Sequence, residues 1–168
     1  NTEDMPTDCL NPYSLSKKTG EEMMALYNQL YGLSTVSLRY FNVYGPRHQE
    51  EGNYATVIAI FRKQKRLGKK LTIVGDGEQR RDFTFVGDVV RANMLAAMNR
   101  EVAGTVNVGT QNNYSINELA KMIGGEVEFI PARLGEARET LADNSKAREL
   151  LGWVPKVSLT DGIAVVDA

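Results

Sequence analysis

The spacing of apolar positions changes several times along the chain, and each change marks an element. Between residues 13 and 31, Leu15, Met23, Leu26, Tyr27 and Leu30 recur roughly on one face, which predicts an amphipathic helix. Gly32 stops it. Residues 35–43 are rich in β-branched and aromatic types and predict a strand, which ends at Tyr44-Gly45-Pro46-Arg47. A helix followed by a strand is half of a βαβ unit, so a parallel sheet is expected. Residues 54–67 predict a second amphipathic helix with a basic end from Arg62 to Arg66. Residues 71–74 and 81–86 predict short strands, separated by the tight turn Gly75-Asp76-Gly77. Residues 88–98 predict a helix capped by Gly87 or Asp88. Residues 104–109, bounded by glycines, predict a buried strand. Ser115 with Glu118 three residues later forms a capping box for a helix through Ile123. Residues 126–130 predict a strand, and residues 145–151 an N-capped helix ended by Gly152. A last helix starts near residues 158–160. The expected class is α/β.

Composition narrows the possible functions. The net charge is −1, so nothing favours a nucleic-acid partner or an anionic membrane. No apolar run approaches the roughly 20 residues of a membrane helix. The opening residues are acidic and polar, unlike a signal peptide. A single cysteine, Cys9, leaves no internal disulfide framework, and a cytoplasmic setting is the default. With only one histidine, His48, beside it, a zinc site or a Cys–His catalytic pair is not expected. The chain opens in a loop and without Met, which is read as a sign of a fragment.

Tyr13-Ser-Leu-Ser-Lys17 carries the first candidate chemistry. Residues four apart on a helix share a face. An ammonium a few Å from a tyrosine favours the phenolate, and such a tyrosine can exchange a proton with a hydroxyl near neutral pH. Alone, a Tyr and Lys at this spacing are more often merely exposed. Here they stand within a longer series. Residues 11–21, then 38–47 (Leu-Arg-Tyr-Phe-Asn-Val-Tyr-Gly-Pro-Arg), then 75–86 (Gly-Asp-Gly-Glu-Gln-Arg-Arg-Asp-Phe-Thr-Phe-Val) occur in order, followed by 114–119 and 141–153.

Through these five blocks the chain resembles the NAD-dependent epimerase/dehydratase family of extended short-chain dehydrogenases/reductases. It is most similar to UDP-glucose and UDP-N-acetylglucosamine 4-epimerases. The resemblance implies the C-terminal part of a Rossmann-type parallel sheet plus a small mixed α/β substrate lobe. Residues 1–50 would be the residual Rossmann helix and strand, and residues 51–168 the substrate lobe, with 104–110 returning to the Rossmann sheet. It also implies a UDP-sugar substrate, NAD as cofactor and, commonly, a homodimer.

By similarity Tyr13 is the acid/base, and Lys17 holds the nicotinamide ribose and lowers the tyrosine pKa. Tyr40 contacts the nicotinamide end of the cofactor, and Asn42 the substrate diphosphate. Thr56 and Val57 open a helix near the nucleotide. Thr72 and Val74 line the uracil pocket, although alternation alone leaves Val74 equally as core. Arg81 binds the diphosphate, where a guanidinium fork suits phosphate. Arg133 reaches phosphate and Glu136, standing where the family has Asp, accepts from the ribose. Thr140 gates the sugar pocket, and its small side chain is expected to admit N-acetyl sugars. Arg80, His48 and the basic stretch 62–70 are read as solvated, Cys9 as a loop thiol and Trp153 as core. The family's glycine-rich NAD loop has no counterpart in these residues. The expectation is therefore a fragment that needs a separate N-terminal half or self-association. Two further readings stay open: a non-catalytic sugar-nucleotide-binding fragment, and a dehydratase or decarboxylase of the same family.

Overall fold

A computed structural model describes residues 1–52, 55–132 and 135–167. Helix α1 (Pro12–Tyr31) begins in a capping box of Asn11 and Ser14, with Pro12 in its first turn, and ends at Gly32 in the left-handed region (φ 64°). It feeds strand β1 (Val36–Tyr40), which pairs in parallel with β6 (Gly104–Val108) from Val36 opposite Gly104 to Tyr40 opposite Val108. The two faces of β1 are used differently. Arg39 reaches α1, where its guanidinium grips both oxygens of Glu21 at 2.7 Å each. Val36 and Leu38 pack on the opposite side with Val89, Ala92, Val106, Val108, Leu151 and the fully buried Trp153. Helices α3 (Val86–Met98) and α5 (Ser145–Leu151) supply that layer.

The second core lies around α2 (Val57–Arg66), β3 (Leu71–Val74), α4 (Ile116–Ile123) and α6 (Leu159–Asp167). Ile58, Phe61, Leu71, Ile73, Leu119 and Ile163 interdigitate there with Tyr44. Three short strand pairs frame it: β2 (Val43–Tyr44) with β5 (Thr84–Phe85), β3 with β8 (Val127–Ile130), and β4 (Arg80–Asp82) with β7 (Asn113–Ser115). The first two are parallel and the last antiparallel. No described helix is long and apolar enough to cross a membrane.

Several expectations shift. The stretch 81–86 is split at Phe83 into β4 and β5, because Asp82 turns inward. The strand β7 was not expected; it forms because Asn113–Ser115 meets β4 before the Ser115–Glu118 capping box starts α4. Helix α3 starts at Val86, and its cap, Phe85, makes no side-chain bond. Asp88 is buried instead and accepts from the backbone N–H groups of Lys156 and Val157 at 2.9 and 3.0 Å. Asn144, at the cap of α5, likewise makes no cap bond and donates to Gly109 O. The apolar stripe of α1 is the largest departure, since none of its residues is buried.

Asp82 sits at the junction of the two cores and is fully buried. Its carboxylate accepts from Thr110 N (2.9 Å), Thr110 Oγ1 (2.6 Å), Gln111 N (3.2 Å) and Ala142 N (3.1 Å). Removing such an acceptor strands several buried donors, each with its own desolvation cost. Asp82→Ala is therefore expected to destabilise the chain by at least about 3 kcal/mol in urea unfolding. A loss within about 0.5 kcal/mol, as for an ordinary surface change, would contradict this assignment.

Candidate functional site

A cavity of about 290 Å³ opens between α2, β3, β4 and the β1–β2 junction. Several elements aim side chains into it. Alternation along β3 sends Leu71 and Ile73 into the core and leaves Thr72 and Val74 on the cavity wall. Thr56 and Val57 reach it from the start of α2, Arg81 from β4, and Glu136 from the loop that follows residue 130. Asn42 enters from the β1–β2 junction in the left-handed region (φ 35°), a conformation that asparagine tolerates better than most residues. Gln79 and Ile130 complete walls that the sequence reading did not assign. Nothing in the local spacing marks Gln79, whose amide donates to Val74 O at 2.9 Å.

The polar groups of the cavity are held by the backbone. Asn42 Nδ2 donates to Asp82 O (2.8 Å) and Thr140 Oγ1 (3.1 Å), so both its protons are engaged. Thr140 thus stands directly behind Asn42, on a segment that runs parallel to β4 at the Arg80–Glu139 bridge. Arg81 Nη1 donates to Arg80 O at 2.9 Å, and its Nη2 lies 3.9 Å from Glu136 Oε2. Burial lowers the Arg81 pKa below the ordinary arginine value, and the Glu136 charge opposes that shift. The guanidinium therefore has one weak, long-range counter-ion at the cavity, an arrangement suited to receiving an anion.

The other expected site residues lie beyond the cavity walls. Tyr13 and Lys17 share the first turns of α1, with Lys17 Nζ 5.2 Å from the Tyr13 ring centroid. Tyr40 ends β1, and its hydroxyl donates to Asn93 Oδ1 at 2.9 Å. Arg133 falls outside the described residues. A Cβ built on Gly135 would come within 3.7 Å of Leu10 O, so the loop carrying Glu136 passes beside the segment that leads into α1. The cavity rim and the Tyr13 end of α1 are therefore neighbours.

Three surface readings change. Arg80 is bound rather than solvated: its guanidinium donates to Asn113 Oδ1 and Asn113 O at 2.8 Å each and pairs with Glu118 at 3.2 Å. The basic end of α2 is largely paired too. Arg66 grips Glu50, Lys63 meets Glu51, Lys70 meets Glu126, and Lys65 donates to Ile123 O at the end of α4. His48 is half-buried, and its Nδ1 has no hydrogen-bond partner among the described residues.

Comparison with known proteins places this geometry. Residues 1–109 match the model of the NAD dependent epimerase/dehydratase family, and the chain belongs to that family. It is 41% identical to a UDP-glucose 4-epimerase of Mycolicibacterium smegmatis over 97% of its own length and 54% of the relative's. It is 43% identical to a putative UDP-glucose 4-epimerase of Methanocaldococcus jannaschii, over 96% of this chain and 53% of that one. The crystal structure of a UDP-glucose 4-epimerase of Thermotoga maritima with UDP-glucose superposes with a TM-score of 0.91 at 38% identity. That match covers 99% of this chain and 55% of the other. The chain thus spans about half the length of the curated relatives it matches.

His48 supplies a test of the loop leading to the cavity rim. Burial first, and then the Arg62 charge, lower its pKa below the ordinary imidazole value, with Glu50 opposing. The unfolded chain takes up this proton near pH ~6.5 and the folded chain only at lower pH. Stability is then fully present above that value and is lost as pH falls through the window between the two pKa values. Thermal melts of His48→Gln are expected to lose less midpoint than the parent between about pH 7.5 and 5.5. Equal losses in both proteins would contradict the lowered pKa of this half-buried ring.

Proposed function

We propose that this chain is the substrate-binding and proton-transfer part of a UDP-sugar 4-epimerase. The observation that carries the reading is the gathering of Asn42, Val57, Thr72, Val74, Arg81 and Glu136, spread over 95 positions of sequence, at one cavity. Apolar walls suit the base, and the Arg81 guanidinium suits the diphosphate. Asn42 can meet that diphosphate through a proton only by releasing Asp82 O or Thr140. Glu136 is placed to accept from ribose hydroxyls, with Arg133 as a further phosphate ligand. Residues 1–50, together with strand 104–110, form the catalytic side in this reading, and the remainder of 51–168 the substrate lobe.

The catalytic side lies where α1 begins and β1 ends, at the carboxyl edge of parallel strands, the usual place for a ligand in an α/β sheet. Tyr13, Lys17 and Tyr40 fit the nicotinamide end of NAD, while a glycine-rich loop for its pyrophosphate is not among the 168 residues. Bound NAD supplies the hydride acceptor for C4 of the sugar. Tyr13 Oη takes the O4 proton as C4 is oxidised and returns it as C4 is reduced from the other face. Lys17 provides a positive charge beside the Tyr13 ring. The exposed stripe of α1, and β1 having one partner strand among the described residues, support a further subunit or chain segment packing on this side.

Calorimetric titration tests the reading. UDP-N-acetylglucosamine is expected to bind saturably, and Arg81→Ala to weaken it by at least about tenfold. No binding to the parent chain would contradict the assignment. A second variant probes the sugar end. Thr140→Tyr, which fills the space behind Asn42, is expected to weaken UDP-N-acetylglucosamine several-fold more than UDP-glucose. Equal effects on the two sugars would remove Thr140 as the gate.

A further inference from the structure

The cavity has a hydrogen-bond polarity that two residues set between them. Thr72 N donates to Gln64 Oε1 at 3.0 Å. A backbone N–H can only donate, so this contact identifies the amide oxygen of Gln64 and leaves Nε2 as the other terminus. Nε2 in turn donates to Thr72 Oγ1 at 2.8 Å. The Thr72 hydroxyl is therefore an acceptor towards Gln64, and its own proton must point elsewhere. No described residue accepts that proton, and the Thr72 side chain lines the cavity. In the same cavity Thr56 Oγ1 is buried without any partner among the described residues. The buried Thr56 hydroxyl and the half-buried Thr72 proton at the same cavity are groups that a ligand would complete.

We propose that Gln64 is a positioning residue: it locks the Thr72 hydroxyl as a donor, and that donor reads a carbonyl oxygen of the uracil ring. This rests on the UDP-sugar reading and specifies how the base is recognised. Val57, Val74 and Ile130 supply apolar surface for the ring faces. A base edge that presents an acceptor satisfies the free Thr72 proton, whereas one that presents only a donor leaves that proton unpaired and binds less well. Gln64 lies on α2 and does not itself line the cavity, so its effect on a ligand passes through Thr72.

The experiment is a double-mutant cycle on the whole chain, with UDP as probe and pyrophosphate as the baseless control. In Gln64→Glu the side chain can only accept, so it still takes Thr72 N–H but also draws the hydroxyl proton away from the cavity. Thr72→Val removes the hydroxyl and leaves Gln64 in place. Each change is expected to weaken UDP by about tenfold, and the double change by no more than either alone. Pyrophosphate binding should be the same in Gln64→Glu and the parent. Unchanged UDP affinity in Gln64→Glu, additive losses, or an equal loss for pyrophosphate would overturn the proposal while leaving the UDP-sugar reading intact. A parent chain that binds no UDP would overturn both. Should Gln64→Glu fail to fold, UDP affinity that is unchanged in Thr72→Val is sufficient to overturn it.

Discussion

The buried carboxylate of Asp82 is the constraint on which the site depends. It has no cation beside it among the described residues, and backbone N–H groups with one hydroxyl carry its charge. These donors come from the turn after β6 and from the segment after Thr140, so one side chain joins the β1–β6 pair to the second core. Its backbone continues the junction: Asp82 N donates to Thr140 O at 3.1 Å, and Asp82 O accepts from Asn42. Gly109 is required by the same crowding, since a Cβ there would lie 2.3 Å from Ala142 Cβ and 2.9 Å from Asp82 Oδ2. Asp88 repeats the device on the other core, receiving Trp153 Nε1 on its backbone carbonyl at 2.9 Å and holding Arg91 and the 156–157 turn with its carboxylate.

What could be read from the sequence follows from range. Elements fixed by local signals were legible: α1 from its apolar spacing and Gly32, α4 from Ser115 and Glu118, and β3 from its short apolar run. Features made by long-range contacts were not. Strand β7 exists only because β4 lies beside it, and Asp88 looked like a cap because its acceptors' partners lie near residue 156. Arg80 looked solvated because Asn113 and Glu118 are distant in sequence.

The site divides along the same line. Alternation on β3 separates Thr72 and Val74 from Leu71 and Ile73, while which of the two faces meets the cavity needs the folded chain. The relation of Asn42 to Thr140, and of Gln64 to Thr72, needs the folded chain. The basic stretch of α2 shows why charge alone misleads: acidic residues at 50, 51 and 126 neutralise most of it, and Lys65 serves the end of α4. Arg81 differs because its nearest acid stands at 3.9 Å and its surroundings are partly dry. That leaves a cationic fork at a cavity whose other walls mix apolar side chains with Asn42, Thr56, Thr72 and Gln79.

The central claim is that this cavity receives the nucleotide end of a sugar nucleotide. Backbone amide chemical shifts of the labelled chain during titration with UDP test it most directly. The account predicts saturable shifts concentrated at Asn42, Val57, Thr72, Val74 and Arg81, with the middle of α1 and α5 undisturbed. Saturable shifts confined to other surfaces, or none at all in a folded chain, would contradict it.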